Sequence, residues 1–250
     1  MDTSQVTITS SGVCVDCNNP PQVSVALLKK SDLPSLSKPW DDIELPVDML
    51  LLTVSDCEFL SCIAYLNPGY YKSYHQNFGY VYLGKMGEVD CMKVAVMACF
   101  VGSAGPDDSF IAVKNAVLAL RPKCVFSVGF CSGLNYRKVK LGDVVISGEY
   151  LTERRSTGIP LSSPIATVIK RAADGWRPPL IDPEKMEVQV HTGGVFLSGT
   201  EELNNVERHK ELVERFPEAI AIVTESEGER PFAGISQNTC SFELWWSMSN

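Results

Sequence analysis

The sequence lacks a basic stripe, an apolar run of membrane-spanning length and a regular cysteine framework, and each absence removes a class of function. Lysine and arginine number 22 against 30 aspartates and glutamates, a net charge of −8 over 250 residues. Without clustered cations a chain cannot neutralise a row of phosphates, so no nucleic-acid partner is expected. A small anion held by one local loop stays open. No run of about 18 apolar residues occurs, so no membrane partner is expected either. Met1, Asp2, Thr3, Ser4 and Gln5 are polar, with no basic-then-apolar leader. The nine cysteines are odd in number and irregularly spaced. Cys62, Cys91, Cys99, Cys124 and Cys131 sit in apolar runs, which fits reduced, buried thiols in a cytoplasmic protein.

Other signatures are missing too. Cys14 and Cys17 form one Cys-x-x-Cys, but zinc needs a second ligand pair and none follows at a suitable spacing. His75, His191 and His209 are scattered without metal spacing, so no metal is expected. There is no Gly-x-Gly-x-x-Gly and no Gly-Lys-Ser/Thr, which argues against a dinucleotide cofactor or a Walker loop. No cofactor is expected.

What is present is a shift in composition near residue 47. Residues 1–46 are rich in Ser, Asn and Asp, with prolines at 20, 21, 34, 39 and 46, and read as a flexible tail. A short extended piece near residues 23–28 is the one element expected there. From Val47 to Asn250 the pattern is that of one domain. Residues 49–54 are a continuous apolar run, the mark of a strand buried on both faces. Phe59, Cys62, Ile63 and Leu66 follow at helical spacing. Residues 79–85 alternate as a strand, and 92–100 form another buried strand leading into a small-residue loop with Gly102 and Gly105. Asp107 or Asp108 is placed to cap a helix that ends at Arg121 and Pro122. Residues 124–128 predict a strand ending in a loop of Gly129, Phe130, Cys131, Ser132 and Gly133. Residues 143–147 predict a strand, 152–185 a proline-rich excursion, 187–198 one or two strands broken at Gly193 and Gly194, 201–216 an amphipathic helix and 219–224 a buried strand.

Alternating strands and helices imply an α/β fold, with a three-layer, mixed and largely parallel sheet flanked by helices. Ligands in such sheets sit beyond the carboxyl ends of strands. Four segments occupy those ends: 55–58, 101–105, 129–133 and 225–229. Two are glycine-rich, where backbone N–H groups can approach a sugar or phosphate, and two carry carboxylates.

Five segments in register carry a resemblance. Residues 53–59 hold an acidic turn with Glu58. Residues 121–134 form a strand into a glycine loop, followed at 140–147 by Lys-Leu-Gly-Asp-Val-Val-Ile-Ser. Residues 196–204 contain Ser198, Gly199, Glu202 and Leu203. Residues 216–222 lead into Glu225, Ser226, Glu227, Gly228 and Glu229. Over residues 47–229 the chain resembles the nucleoside phosphorylase/nucleosidase superfamily, and most of all its methylthioadenosine/adenosylhomocysteine nucleosidase branch. That resemblance implies a purine nucleoside or nucleotide ligand. It makes Glu58 the base that activates a water, Glu227 the acceptor of both ribose hydroxyls, and the backbone of Glu202 and Leu203 the frame of the base. Gly129 to Gly133 would line the sugar. A homo-oligomer is implied as well.

The chain departs from the pattern in places. Ser226 stands where the family has Met under the ribose. The family's general acid is an Asp in a Ser-Asp or Cys-Asp loop on a later strand, and here no Asp follows Asp182. Residues 242–246 are the candidate for the next strand. Pro231 interrupts a segment that the family keeps Ala-rich, so the expectation is a chain divergent or truncated after about 229, with its last strand and helix missing and its activity in question. Phosphorolysis needs arginines at an anion site, and only Arg154 and Arg155 are candidates to hold phosphate. Water is therefore the preferred nucleophile, with a catalytically inactive nucleoside-binding or regulatory domain as the competing reading.

Overall fold

Leu50 and Leu51 point to opposite faces of one strand, and both faces are covered, which is why the run carries no polar alternation. The computed structural model describes residues 22–99, 106–135, 138–147, 149–152, 167, 170–171, 173–199, 206–224 and 240–248. In chain order its elements are β1 (Ser37–Lys38), β2 (Met49–Thr53), α1 (Asp56–Ala64), β3 (Tyr71–His75), β4 (Gly79–Met86), β5 (Met92–Ala98), α2 (Pro106–Leu120), β6 (Cys124–Gly133), β7 (Val144–Ser147), β8 (Glu149–Thr152), β9 (Val190–Thr192), β10 (Val195–Gly199), α3 (Val206–Arg215), β11 (Ala219–Thr224) and β12 (Cys240–Met248). These strands join in one mixed, largely parallel sheet, with a path β1-β3-β4-β5-β2-β6-β11-β10-β8 and with β12, β7 and β9 branching from β6.

On one face α2 places Val113, Ala116 and Leu120 against Leu50, Leu52, Leu83, Ala95 and Met97. On the other α1 places Phe59, Cys62, Ile63 and Leu66 against Leu51, Val94 and Val96. Fully burying one such leucine stabilises by about 1.5–3 kcal/mol. Further along, α3 packs Leu212, with Phe216 just beyond it, onto Leu197 and Ile222. No described helix is long and apolar enough to cross a membrane.

Strand β6 organises the sheet because it has two edges and three partners. β12 runs parallel along one edge from Cys124 to Ser132. The other edge is shared. β2 pairs in parallel with residues 124–127, and β11 pairs antiparallel with Ser132 and Gly133. β2 and β11 thus advance toward each other along one edge. Among the described residues no strand pairs with residues 128–130 there.

Several elements depart from the sequence expectation. The predicted glycine loop at 129–133 is strand, because β12 supplies a ladder partner as far as Ser132. Neither Gly129 nor Gly133 has a positive φ. The candidate strand at 242–246 is longer, Cys240–Met248, and lies beside β6 and β7. Helix α2 starts at Pro106, so Asp107 and Asp108 fall inside its first turn; proline suits that position because its missing N–H is unused there. The helix ends where Arg121 turns to φ 50 ahead of Pro122. β3 and β8 were not expected. The described part of the expected tail is built onto the domain. Trp40, Ile43 and Leu45 pack on the α2 face, Leu28 and Leu33 on the α1 face, and β1 adds to β3. Lys30 reaches Asp56 at 2.6 Å.

Candidate active site

The turn after β2 is fixed by its own sequence. Ser55, Asp56, Cys57 and Glu58 have the Ser-x-x-Glu spacing of a capping box. Ser55 Oγ accepts the Glu58 N–H at 3.3 Å. In return Glu58 Oε2 accepts the N–H of Ser55 at 2.8 Å and of Val54 at 2.9 Å. The side chain is 9% exposed, not the open first-turn acid that a surface helix would show. Oε1 has no partner among the described residues, and it is not one of their sealed, unsatisfied atoms. One oxygen therefore anchors the carboxylate, and the other is presented at the strand end. One turn further on, burial pushes the Cys62 thiol up to about 12, with the charge of Glu58 adding to the effect.

This turn lies beside residues 128–130 of β6, with which no strand pairs on that edge among the described residues. Leu52 pairs with Ser127, so the residues after Thr53 lie level with 128–130. β11 arrives from the opposite end through Ala221 and Ile222, and its carboxyl end at Thr224 continues toward the same stretch. β10 runs parallel to β11 with Gly199 opposite Thr224, and β5 runs parallel to β2 with Ala98 opposite Thr53. The Cys99 N–H bonds to the Thr53 carbonyl at 2.7 Å, tying those two ends together. β2 and β5 thus end together, as do β10 and β11.

The sequence-derived candidates divide accordingly. Glu58, Gly129, Phe130, Cys131, Ser132 and Gly133 are described, as are the backbones of Ser198 and Gly199 at the end of β10. Phe130 is 37% exposed, whereas Cys131 is buried against Val145, Phe196 and Ala221, as strand alternation requires. Gly102, Glu202, Leu203, Ser226 and Glu227 lie outside the described residues, as do Arg154 and Arg155. Among the described residues no group of His, Cys, Asp and Glu is arranged to hold a metal ion.

Two other residues matter more than their sequence positions suggested. Asp143 is 1% exposed. It accepts the N–H of Lys140 at 2.8 Å and of Gln189 at 2.9 Å, and lies 2.8 Å from His191 Nε2. It locks β7 to β9. The pairing joins residues 48 apart and has no local sequence mark; the acid between Gly142 and a β-branched run was its only sign. His75 stacks on Phe78 at 4.4 Å and meets Trp40 edge-on, a packing role.

Comparison with solved structures agrees with this architecture. A futalosine hydrolase mutant of Helicobacter pylori strain 26695 superposes with a TM-score of 0.58 at 14% identity, covering 82% of this chain and 91% of that one. The chain has the nucleoside phosphorylase/nucleosidase fold. The 5′-methylthioadenosine/S-adenosylhomocysteine nucleosidase of Colwellia psychrerythraea 34H, in complex with adenine, gives 0.56 at 14% identity, over 80% and 81% of the two chains. The corresponding Campylobacter jejuni nucleosidase gives 0.57 at 12%, over 81% and 86%. No protein-family model and no curated protein matches the sequence. Among the described residues, the stretch of the β6 edge that no strand pairs is bordered by the turn bearing Glu58 and by the end of β11.

Proposed function

We propose that the chain binds a purine nucleoside or nucleotide against the vacant edge of β6 and cleaves its N-glycosidic bond with water. The supporting observation is the head-on approach of β2 and β11 along one edge of β6, with Glu58 in the turn after β2; in sequence Glu227 follows the end of β11 by three residues. In this reading Glu58 Oε1 takes a proton from a water whose oxygen bonds to the anomeric carbon. The carbon–nitrogen bond breaks and the departing base takes up a proton. Glu227 accepts from the two ribose hydroxyls, and negative charge nearby stabilises the oxocarbenium-like transition state. Gly129, Phe130 and Ser132 border the sugar, with Ser226 and the Gly102 loop beside it. Ser198 and Gly199 lead into Glu202 and Leu203, which frame the base. The adenine held by the Colwellia nucleosidase makes an adenine nucleoside the first substrate to try.

The test is base release from 5′-methylthioadenosine, with and without phosphate, followed by chromatography. Phosphate-independent release is expected. Strictly phosphate-dependent turnover would contradict hydrolysis, and absence of both release and calorimetric binding would contradict the whole reading.

One observation favours a second reading, binding without cleavage. β12 runs beside β6 as far as Ser132, and in sequence it is followed by Ser249 and Asn250. An amide can donate a hydrogen bond to a purine nitrogen but cannot yield a proton to it. Tight adenine binding with background release, raised by Asn250→Asp, supports this reading; brisk release by the unaltered chain excludes it.

A further inference from the structure

Strand alternation puts Phe126, Val128 and Phe130 of β6 on one face of the sheet and Gly129 and Cys131 on the other. Helix α1 covers the first face. Phe126 and Val128 pack against the cluster that Phe59, Cys62 and Ile63 form with Leu51, whereas Cys131 is buried on the far side with Val145 and Phe196. Phe130 lies beyond the cover of α1 and is left 37% exposed. Leu52 stands beside Ser127. Three residues further on in each segment, Phe130 is level with Ser55, which opens the capping box of Glu58. The exposed ring and Glu58 therefore stand at one end of the β2–β6 pair, on the side of the sheet that carries α1.

Both groups attract positive charge. The face of an aromatic ring is electrostatically negative, and Glu58 Oε1 has no partner among the described residues. Lys30, the cation beside the same turn, is held by Asp56 at 2.6 Å. A neutral sugar would meet the Phe130 ring by apolar contact alone. When the carbon–nitrogen bond breaks, its electron pair leaves with the base. The sugar then carries positive charge until the water oxygen bonds to the anomeric carbon. A ring that favours the cation is felt most in that transition state, and so acts on rate more than on binding.

We infer that Phe130 is a cation-stabilising residue of this site, its ring face taking the positive charge that develops on the sugar. The inference rests on the nucleosidase reading. Calorimetric titration of the full chain in mildly acidic buffer tests it with two base-free probes of one shape. These are iminoribitol, a pyrrolidine protonated at its ring nitrogen, and anhydroribitol, its neutral ring-oxygen counterpart. The unaltered chain should prefer iminoribitol. Phe130→Leu keeps an apolar side chain at an exposed position, and should narrow that preference about two- to thirty-fold, the range of a single cation–π contact. Phe130→Tyr keeps the aromatic face and should keep the preference. With 5′-methylthioadenosine the leucine variant should lose kcat by a similar factor while KM barely moves. A preference untouched by Phe130→Leu, or both probes weakened equally, would make the ring an ordinary apolar contact and overturn the inference, while base release still upholds the nucleosidase reading. Failure of both probes to bind would overturn it too. Only if base release and nucleoside binding are also absent does the nucleosidase reading fall with it.

Discussion

The two ends of β2 carry one acid each, and the two are treated differently. At the amino end Asp48 is fully engaged. Its Oδ2 accepts the Lys93 N–H at 2.8 Å and its Oδ1 pairs with Lys123 at 2.7 Å. Its backbone carbonyl accepts the N–H groups of Lys123 and Cys124. At the carboxyl end Glu58 commits one oxygen to two amides and leaves the other without a partner among the described residues. An acid with both oxygens spent is a fastener. An acid held rigidly by one oxygen is fastened and still able to do chemistry. The same strand therefore has a structural end and, in the proposed function, an end that meets the ligand.

The strongest way to break that contrast is at Glu58. Glu58→Gln should lower base release by about 10²–10⁴-fold, while glutamine still closes the capping box and holds the melting temperature. Glu58→Ala should lose the same activity and, in addition, about 1 kcal/mol of stability. Release kinetics and denaturant midpoints for both variants check this. Equal loss of fold in both would make Glu58 a cap alone.

The next largest effect lies in the thiols of the same helix. Cys57 is exposed, whereas Cys62 is buried with its thiol pushed up to about 12. Alkylation at pH 7.5, followed by mass spectrometry, should modify the buried Cys62 far more slowly than the exposed Cys57. Comparable rates would mean that the inner face of α1 opens readily.

At the fastened end the Lys123 hydrogen bond, then the Lys93 amide, holds the Asp48 carboxyl below its ordinary value of 3.8. A depressed carboxyl stabilises the folded chain above its unfolded value, and that contribution is lost as pH falls through the lower folded value. Asp48→Asn should therefore cost about 1 kcal/mol at pH 7 after solvent screening, and the cost should fade below about pH 4. Urea midpoints from pH 7 to pH 2 measure it; a difference that grew toward acid would contradict the assignment. Smallest of all, Ser55→Ala removes one acceptor at the cap and should cost about 0.5–1 kcal/mol, with base release nearly intact.

The local parts of this arrangement were legible in the sequence. The apolar run of β2, the helical spacing of Phe59, Cys62, Ile63 and Leu66, and the acidic turn at Glu58 all depend on near neighbours. The capping spacing of Ser55 and Glu58 is equally readable. What was not legible was non-local. Gly129 and Gly133 look like loop residues until β12, more than a hundred positions later, pairs along them. Trp40, Ile43 and Leu45 sit among prolines, and only the α2 face shows that they belong to the core. The link from Asp143 to His191 likewise requires β7 and β9 to be side by side. Which strands share the edge of β6 is a tertiary fact, and the proposed function rests on it rather than on any single motif.

The most direct test is a crystal structure of the chain soaked with a nucleoside. The sugar should lie beside residues 128–130, with Glu58 Oε1 on its anomeric side and the Glu227 carboxylate on its vicinal hydroxyls. A nucleoside bound elsewhere, or a Glu227 carboxylate on a surface that Glu58 does not share, would contradict the account.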